Sequence, residues 1–237
     1  TLTRSSAASD VYKRQILREK WVESSLSELE QEEPEELMMH PLRLALEVQS
    51  LMNQNDWLVI DGGNTHFWSE IAVNMAGAQG KELAGILHPG SFSMLGVGVS
   101  FGLAAKLNHP KDRVVVISGD GAFLSGGLSI EAAFQENVPI TVVIDNNGGL
   151  TTISQQQERL FADERHVATD FRDIPFHTMF EGMGGHGELV EKPEDLKPAL
   201  ERALSSGKTA CVNVRTRSAI SPIVLATTSK RDKASIE

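Results

Sequence analysis

The sequence predicts an α/β protein with a doubly wound parallel sheet and helices on both faces. Two segments, 113–118 (RVVVIS) and 140–145 (ITVVID), are rich in β-branched residues without polar alternation, which is typical of parallel strands buried on both faces. Helical patterns alternate with such strand patterns along the chain. Several of the strand patterns end in polar or glycine-rich turns, where sheets of this class bind ligands.

The individual elements follow one another from residue 41 onwards. Four segments have the composition of buried strands, namely 57–61, 113–118, 140–145 and 210–215. Four segments have helical patterns, namely 41–53, 93–107, 127–136 and 193–207. The first helix has apolar residues at Leu42, Leu46 and Leu51. A turn at Gly119-Asp120-Gly121 is expected between the second strand and the third helix.

The two ends of the chain differ in texture from this pattern. Residues 1–15 have no apolar periodicity and no apolar stretch typical of a secretory signal, so we interpret them as a non-native or disordered leader. Residues 16–40 carry a run of glutamates around Pro34 and are interpreted as an acidic linker. The predicted domain covers 41–225, and 226–237 are a C-terminal tail.

Composition excludes several functional classes. The 22 Lys and Arg against 32 Asp and Glu give a formal charge of −10, which disfavours nucleic-acid binding. A single cysteine, Cys211, cannot form a disulfide framework or hold a cysteine-ligated cluster. The longest uncharged run, 83–105, contains five glycines and a proline, so we expect no membrane helix. We expect a cytoplasmic protein.

A glycine motif at Gly182–Gly187 (GMGGHG) matches a nucleotide-binding fingerprint but lacks its context. That fingerprint needs a strand before it and a helix after it. Here FHTMFE before it favours a helix and ELVEKP after it favours an extended chain. We therefore interpret the motif as a helix end and a turn.

The polar turns that follow three strands predict a metal and phosphate site. They are Asp61–Thr65, Gly119–Gly121 and 146–149 (NNGG). Carboxylate, amide and backbone oxygens are the ligands that Mg²⁺ prefers, with positions left for diphosphate oxygens and water. Asn147 follows Asp120 by 27 residues, with a helix and a β-branched strand between them.

This arrangement resembles the thiamine-diphosphate motif, in which GDG is followed by NN at the end of the next strand. Residues 41 to about 225 resemble the C-terminal, diphosphate-binding domain of the acetolactate-synthase-like family of thiamine-dependent enzymes. The resemblance implies the thiamine-diphosphate-binding fold, with thiamine diphosphate and Mg²⁺ as cofactors. Flavin remains an open possibility that the residues do not support.

The resemblance also implies roles for individual residues. The implied metal ligands are Asp120, the Asn147 side chain and the Gly149 carbonyl. The implied cofactor contacts are Gly63, Asn64, Thr65, Ser93, Leu95, Gly119, Gly121, Ala122 and Phe123. Leu95 matches the apolar residue that supports the bent thiamine, and Ser93 falls where a backbone carbonyl meets the aminopyrimidine. His88 is expected near this pocket without an assigned role.

The resemblance implies decarboxylation of a 2-oxo acid followed by carboligation. Ile153 lies where simple decarboxylases of the family carry a proton-donating Glu, so we take it as a candidate acceptor-pocket residue. Leu150 and Gln156 differ from the aromatic residues usual in the family. A 2-hydroxyacyl-CoA lyase or an oxalyl-CoA decarboxylase is the alternative within the family.

No residue of this chain is assigned as the catalytic group. In the family, the activating Glu belongs to a pyrimidine-binding domain, and the site lies between two chains. A further alternative is therefore a cofactor-binding fragment or subunit that is inactive without a pyrimidine-domain partner. Residues 16–40 would then be the remnant of a middle domain. The expected partners are a 2-oxo acid or acyl-CoA substrate and a second chain in a homodimer or tetramer.

Overall fold

The computed structural model describes residues 38–160 and 166–228. The predicted leader, residues 16–37 of the predicted linker and residues 229–237 of the predicted tail lie outside the described residues. The predicted boundary at residue 41 stays a prediction. Met39 and His40 are already buried, and Met39 forms a parallel bridge with Thr216 next to the last strand.

Six parallel strands form one sheet. They are β1 (Trp57–Asp61), β2 (Gly85–Leu87), β3 (Val114–Gly119), β4 (Thr141–Asn146), β5 (His186–Val190) and β6 (Ala210–Arg215). Their spatial order is β2-β1-β3-β4-β6-β5, so the chain winds outward from β1 in both directions. The predicted doubly wound parallel sheet is confirmed.

Nine α-helices occur in the described part of the chain. They are α1 (Pro41–Leu51), α2 (Asn64–Ala78), α3 (Gly98–Asn108), α4 (Asp120–Gly126), α5 (Glu131–Gln135), α6 (Thr151–Leu160), α7 (Phe176–Gly182), α8 (Pro193–Ser205) and α9 (Pro222–Thr228). Two 3₁₀ turns, Gly90–Phe92 and Gly127–Ile130, precede α3 and α5. Within the described ranges, no helix is both long and apolar enough to cross a bilayer.

Apolar side chains fill the space on both sides of the sheet. On one face, Leu58, Ile117 and Val143 belong to a cluster with residues of α1 and α8. On the other face, Val116 and Val142 belong to a second cluster that includes residues of α3, α4 and α7. Because both faces of each central strand are buried, both need apolar residues, which explains the unbroken β-branched runs.

The helix predicted over 93–107 begins only at Gly98. The Asp61 carboxylate accepts the backbone N–H groups of Gly96 and Gly98, and Ser93 has a left-handed backbone (φ +49°). These features hold residues 93–97 in a loop. An acidic side chain 35 residues away causes this difference, so no local pattern marks it.

The chain between β3 and β4 also differs from the prediction. The turn expected at Gly119–Gly121 is wrong, because β3 ends at Gly119 and Asp120 begins α4 directly. The helix expected over 127–136 is a 3₁₀ turn followed by the short α5. Strands β2 and β5 were not predicted as strands. The three residues of β2 lie within an uncharged, glycine-rich run, and β5 falls where only an extended chain was expected. The interpretation of Gly182–Gly187 is confirmed, because α7 ends at Gly182 and β5 begins at His186.

Candidate functional site

A cavity of about 630 Å³ opens at the carboxyl ends of the central strands. The sheet register pairs Asp61 with Ser118 and Gly119 with Asp145, so β1, β3 and β4 end at the same edge. The turns after these strands, the start of α2 and the loop before α3 line the cavity. This is the edge at which parallel sheets bind ligands.

The structure brings most of the predicted site residues to this cavity. Those that line it are Gly63, Asn64, Thr65, Ser93, Leu95, Gly119, Gly121, Ala122, Asn147, Gly149 and Ile153. Asp120 lies next to the cavity wall and is 2% exposed. Phe123 lies in the apolar core, where its ring meets the edge of Phe176 at a centroid distance of 5.4 Å. The cofactor role predicted for Phe123 therefore has no cavity contact to support it, while the other roles stay predictions.

The Asp120 carboxylate organises the loop that follows β4. Oδ2 accepts the backbone N–H groups of Gly148 and Gly149, both at 2.9 Å, and Oδ1 accepts that of Gly121 at 2.7 Å. Burial, helped by the nearby Asp145, raises the pKa of Asp120 to about 7 against the opposing effect of these bonds. A nearby cation would stabilise the ionised form of a carboxylate that burial keeps from water.

The Asn147 side chain supplies a second oxygen at this position. Its Oδ1 is buried and has no hydrogen-bond partner among the described residues. Buried oxygens are normally paired, so an unpaired one beside a carboxylate-held loop fits a metal ligand. The Gly149 carbonyl accepts one hydrogen bond, from Thr151 N at 2.9 Å, and keeps a second lone pair. The donor set therefore fits a hard cation.

The backbone of Gly149 explains why this position needs glycine. Its φ is +158°, and an added Cβ would lie 2.2 Å from the carbonyl oxygen of Thr169. Leu150 N donates to the same Thr169 oxygen at 2.8 Å, and Phe171 N donates to the Gly148 oxygen at 2.8 Å. The loop after β4 is thus fixed between Asp120 on one side and residues 169–171 on the other.

The start of α2 faces the cavity with unused backbone donors. Gly63 caps the helix without a side-chain hydrogen bond, and no acidic residue lies in the first turn. The first N–H groups of a helix bind anions when no side chain caps them. Asn64 is fixed by its amide, which donates to Thr151 Oγ1 at 3.2 Å and Gln155 Oε1 at 2.8 Å. This end of α2 fits a diphosphate.

Two further acidic residues hold the walls of the cavity, and the sequence did not single them out as supports. Asp145 is fully buried, accepts the hydroxyl of Thr65 at 2.7 Å and also accepts that of Thr216. Asp61 accepts Gly98 N at 2.7 Å and Gly96 N at 3.1 Å. Burial raises the pKa of both carboxyls. Each is the single acidic residue near the carboxyl end of an otherwise apolar strand, and this pattern could have indicated them.

Among the other residues that line the cavity are His66, Glu70 and His88. His88 was expected near the pocket, and the structure confirms that position. Neither His66 nor Glu70 was predicted as a site residue. The spacing of four residues between His66 and Glu70, which brings two side chains to one face of a helix, could have indicated them.

Comparison with known proteins agrees with this geometry. Residues 61–214 match the family model of the thiamine pyrophosphate enzyme C-terminal TPP-binding domain. An acetolactate synthase large subunit of Mycobacterium tuberculosis is 36% identical over 180 residues, which cover 75% of this chain and 31% of that protein.

Two further relatives are a second acetolactate synthase and a 2-hydroxyacyl-CoA lyase. A catabolic acetolactate synthase of Raoultella terrigena is 28% identical over 176 residues (74% of this chain, 30% of that protein). The mouse 2-hydroxyacyl-CoA lyase 2 is 30% identical over 174 residues (73% of this chain, 26% of that protein). The matched region spans less than a third of each relative. The chain belongs to the thiamine pyrophosphate enzymes and carries their C-terminal cofactor-binding domain.

Proposed function

We propose that this chain supplies the diphosphate- and Mg²⁺-binding half of an acetolactate-synthase-like enzyme. The enzyme decarboxylates a 2-oxo acid and joins the product to a second carbonyl compound. The observation that carries the proposal is the buried, unpaired Asn147 Oδ1 next to the loop held by Asp120. The 36% identity to an acetolactate synthase large subunit supports the reaction class.

Each part of the cavity has a task in this proposal. Asp120, Asn147 Oδ1 and the Gly149 carbonyl would hold Mg²⁺, which usually keeps positions for phosphate oxygens and water. The free N–H groups at the start of α2 would bind the diphosphate. Leu95, 37% exposed at the cavity, would support the thiamine rings by apolar contact.

Thiamine diphosphate, when bound, supplies the carbon nucleophile and the electron sink for breaking a bond next to a carbonyl. The protein's own contribution is to orient and to exclude water. Ile153 is 44% exposed, lines the cavity and has no proton to donate. An apolar residue here favours reaction with a second carbonyl compound over protonation by the protein.

We also propose that turnover needs a pyrimidine-binding domain from another chain or another part of a longer protein. In the described residues, the only carboxylate that lines the cavity is Glu70, which is paired with His66. The assembly would be a homodimer or tetramer, or a pairing with a separate pyrimidine-domain subunit, located in the cytoplasm.

A 2-hydroxyacyl-CoA lyase is the second candidate, favoured by the 30% identity to the mouse enzyme of that name. Supplying the chain with a pyrimidine-domain protein and analysing the products separates these functions. A carboligase forms a longer hydroxy-oxo acid from pyruvate, whereas a lyase consumes only an acyl-CoA.

Calorimetric titration of thiamine diphosphate in the presence of Mg²⁺ tests the cofactor site. We expect Asp120→Ala and Asn147→Ala each to weaken binding by at least about 100-fold, because losing a ligand of a desolvated cation costs about 3 kcal/mol or more. Matched controls are Asp195→Ala and Asn108→Ala, which change exposed residues on other elements and should bind normally. Equal binding by the site variants and the controls contradicts the proposal.

A further inference from the structure

Two side chains of α2 form a polar pair on the cavity wall. His66 and Glu70 lie four residues apart, so both project from the same face of the helix. His66 Nε2 and Glu70 Oε1 are 2.9 Å apart, and the two side chains are 13% and 40% exposed.

A third side chain, from the loop after β2, completes the group. The His88 ring meets the His66 ring edge-to-face with centroids 5.3 Å apart. One ligand atom from each of His66, Glu70 and His88 lies within 4.8 Å of the other two. Across residues 38–160 and 166–228, this is the only group of three such side chains with metal-ligand spacing.

We propose that His66, Glu70 and His88 bind a divalent transition-metal cation of the zinc type. Imidazole nitrogens suit zinc and its neighbours in the first row, whereas Mg²⁺ prefers oxygen ligands alone. Two histidines and one glutamate are a known ligand set for zinc. The site therefore differs in ligand chemistry from the oxygen site at Asp120 and Asn147.

The distances allow coordination after small side-chain movements. Zinc bonds to nitrogen and oxygen measure about 2.0–2.2 Å, which places two tetrahedral ligand atoms about 3.3 Å apart. The His66–Glu70 pair at 2.9 Å must open by about 0.4 Å to reach this value. Glu70 is partly exposed and His88 is exposed, so both side chains have room to adjust.

Binding of the cation displaces a proton from His66 and breaks one exposed hydrogen bond of His88. The cation takes the place of the proton that His66 Nε2 now shares with Glu70, and that proton leaves to solvent or moves to Nδ1. His88 Nδ1 accepts Gly90 N at 3.1 Å, which places the ring proton on Nε2. When the cation binds Nε2, this proton moves to Nδ1, and the exposed hydrogen bond from Gly90 is lost. Three protein ligands leave a fourth position for water or for a substrate oxygen in the cavity.

Titration of the chain with Zn²⁺ in excess Mg²⁺, without thiamine diphosphate, tests the proposal by calorimetry. We expect saturable binding of one Zn²⁺ per chain. Co²⁺ should give the visible absorption of a site with nitrogen ligands. His66→Ala, Glu70→Gln and His88→Ala should each weaken Zn²⁺ binding by at least about 100-fold, since even indirect supports of metal ligands are worth about 10–100-fold. Circular dichroism checks that each variant is folded.

A matched control separates this site from other histidine–carboxylate pairs. His166 lies 2.6 Å from Glu158 and 3.0 Å from Asp170, so it competes as a metal ligand. His166→Ala should leave Zn²⁺ binding unchanged. Absence of saturable binding, or binding that follows His166 instead of His66 and His88, overturns the proposal. Because the readout involves no thiamine diphosphate, failure here leaves the proposed cofactor site unaffected.

Discussion

Replacing His40 by asparagine tests whether a buried neutral histidine makes this fold sensitive to mild acid. His40 is 1% exposed and caps α1, where its Nδ1 accepts Leu42 N at 3.0 Å. Its ring meets the edge of Trp68 at a centroid distance of 4.6 Å. Burial lowers the pKa of His40 to about 4.

The pH dependence follows from the difference between the folded and unfolded chains. The unfolded histidine binds a proton near pH 6.5, whereas folded His40 resists protonation until about pH 4. Its contribution to stability is therefore complete above about pH 6.5 and is lost progressively as the pH falls towards 4. The full difference amounts to about 3.4 kcal/mol, of which about 2 kcal/mol is lost by pH 5.

The assay is urea unfolding followed by circular dichroism at pH 7.5 and pH 5 for wild type and His40→Asn. Asparagine also caps helices well but does not titrate. The variant loses the contact with Trp68 and should be less stable at pH 7.5. At pH 5 the stability gap should narrow by about 2 kcal/mol. A gap that stays the same at both pH values refutes the reasoning, because other titrating groups act equally on both proteins.

Two further predictions concern the loop before α3 and the first residue of that helix. Asp61→Asn should lower the free energy of unfolding by about 1–3 kcal/mol, because the backbone N–H groups of Gly96 and Gly98 lose a charged acceptor. Urea unfolding measures this change, and an unchanged midpoint contradicts the prediction. Gly98→Ala should cost about 2 kcal/mol or more in the same assay, since its Cβ would lie 2.7 Å from that of Asp61 and 3.1 Å from Val116 Cγ1. Its control is Gly77→Ala in α2, where the added methyl group meets nothing within 4 Å and should stabilise the helix by up to about 1 kcal/mol.

The central strands were predictable because their burial is reflected in local composition. Val114–Gly119 and Thr141–Asn146 are buried at every position, and unbroken β-branched runs follow from that burial. The association of Asp120 with the loop at Asn147 was also predictable, since parallel strands carry their carboxyl ends to the same edge. The resemblance to the family rests on the same spacing.

The sequence by itself determined the parallel α/β sheet, the family and the segments that meet at the cavity. Only the tertiary structure decided how the loop at 93–97 is held and which side chains meet between elements. Asp61 reaches across 35 residues to Gly96, and His88 comes from a loop to the helix that carries His66. Contacts of this kind join residues far apart in the chain, so no local periodicity records them. The burial that leaves Asn147 Oδ1 unpaired likewise exists only once the strands are packed.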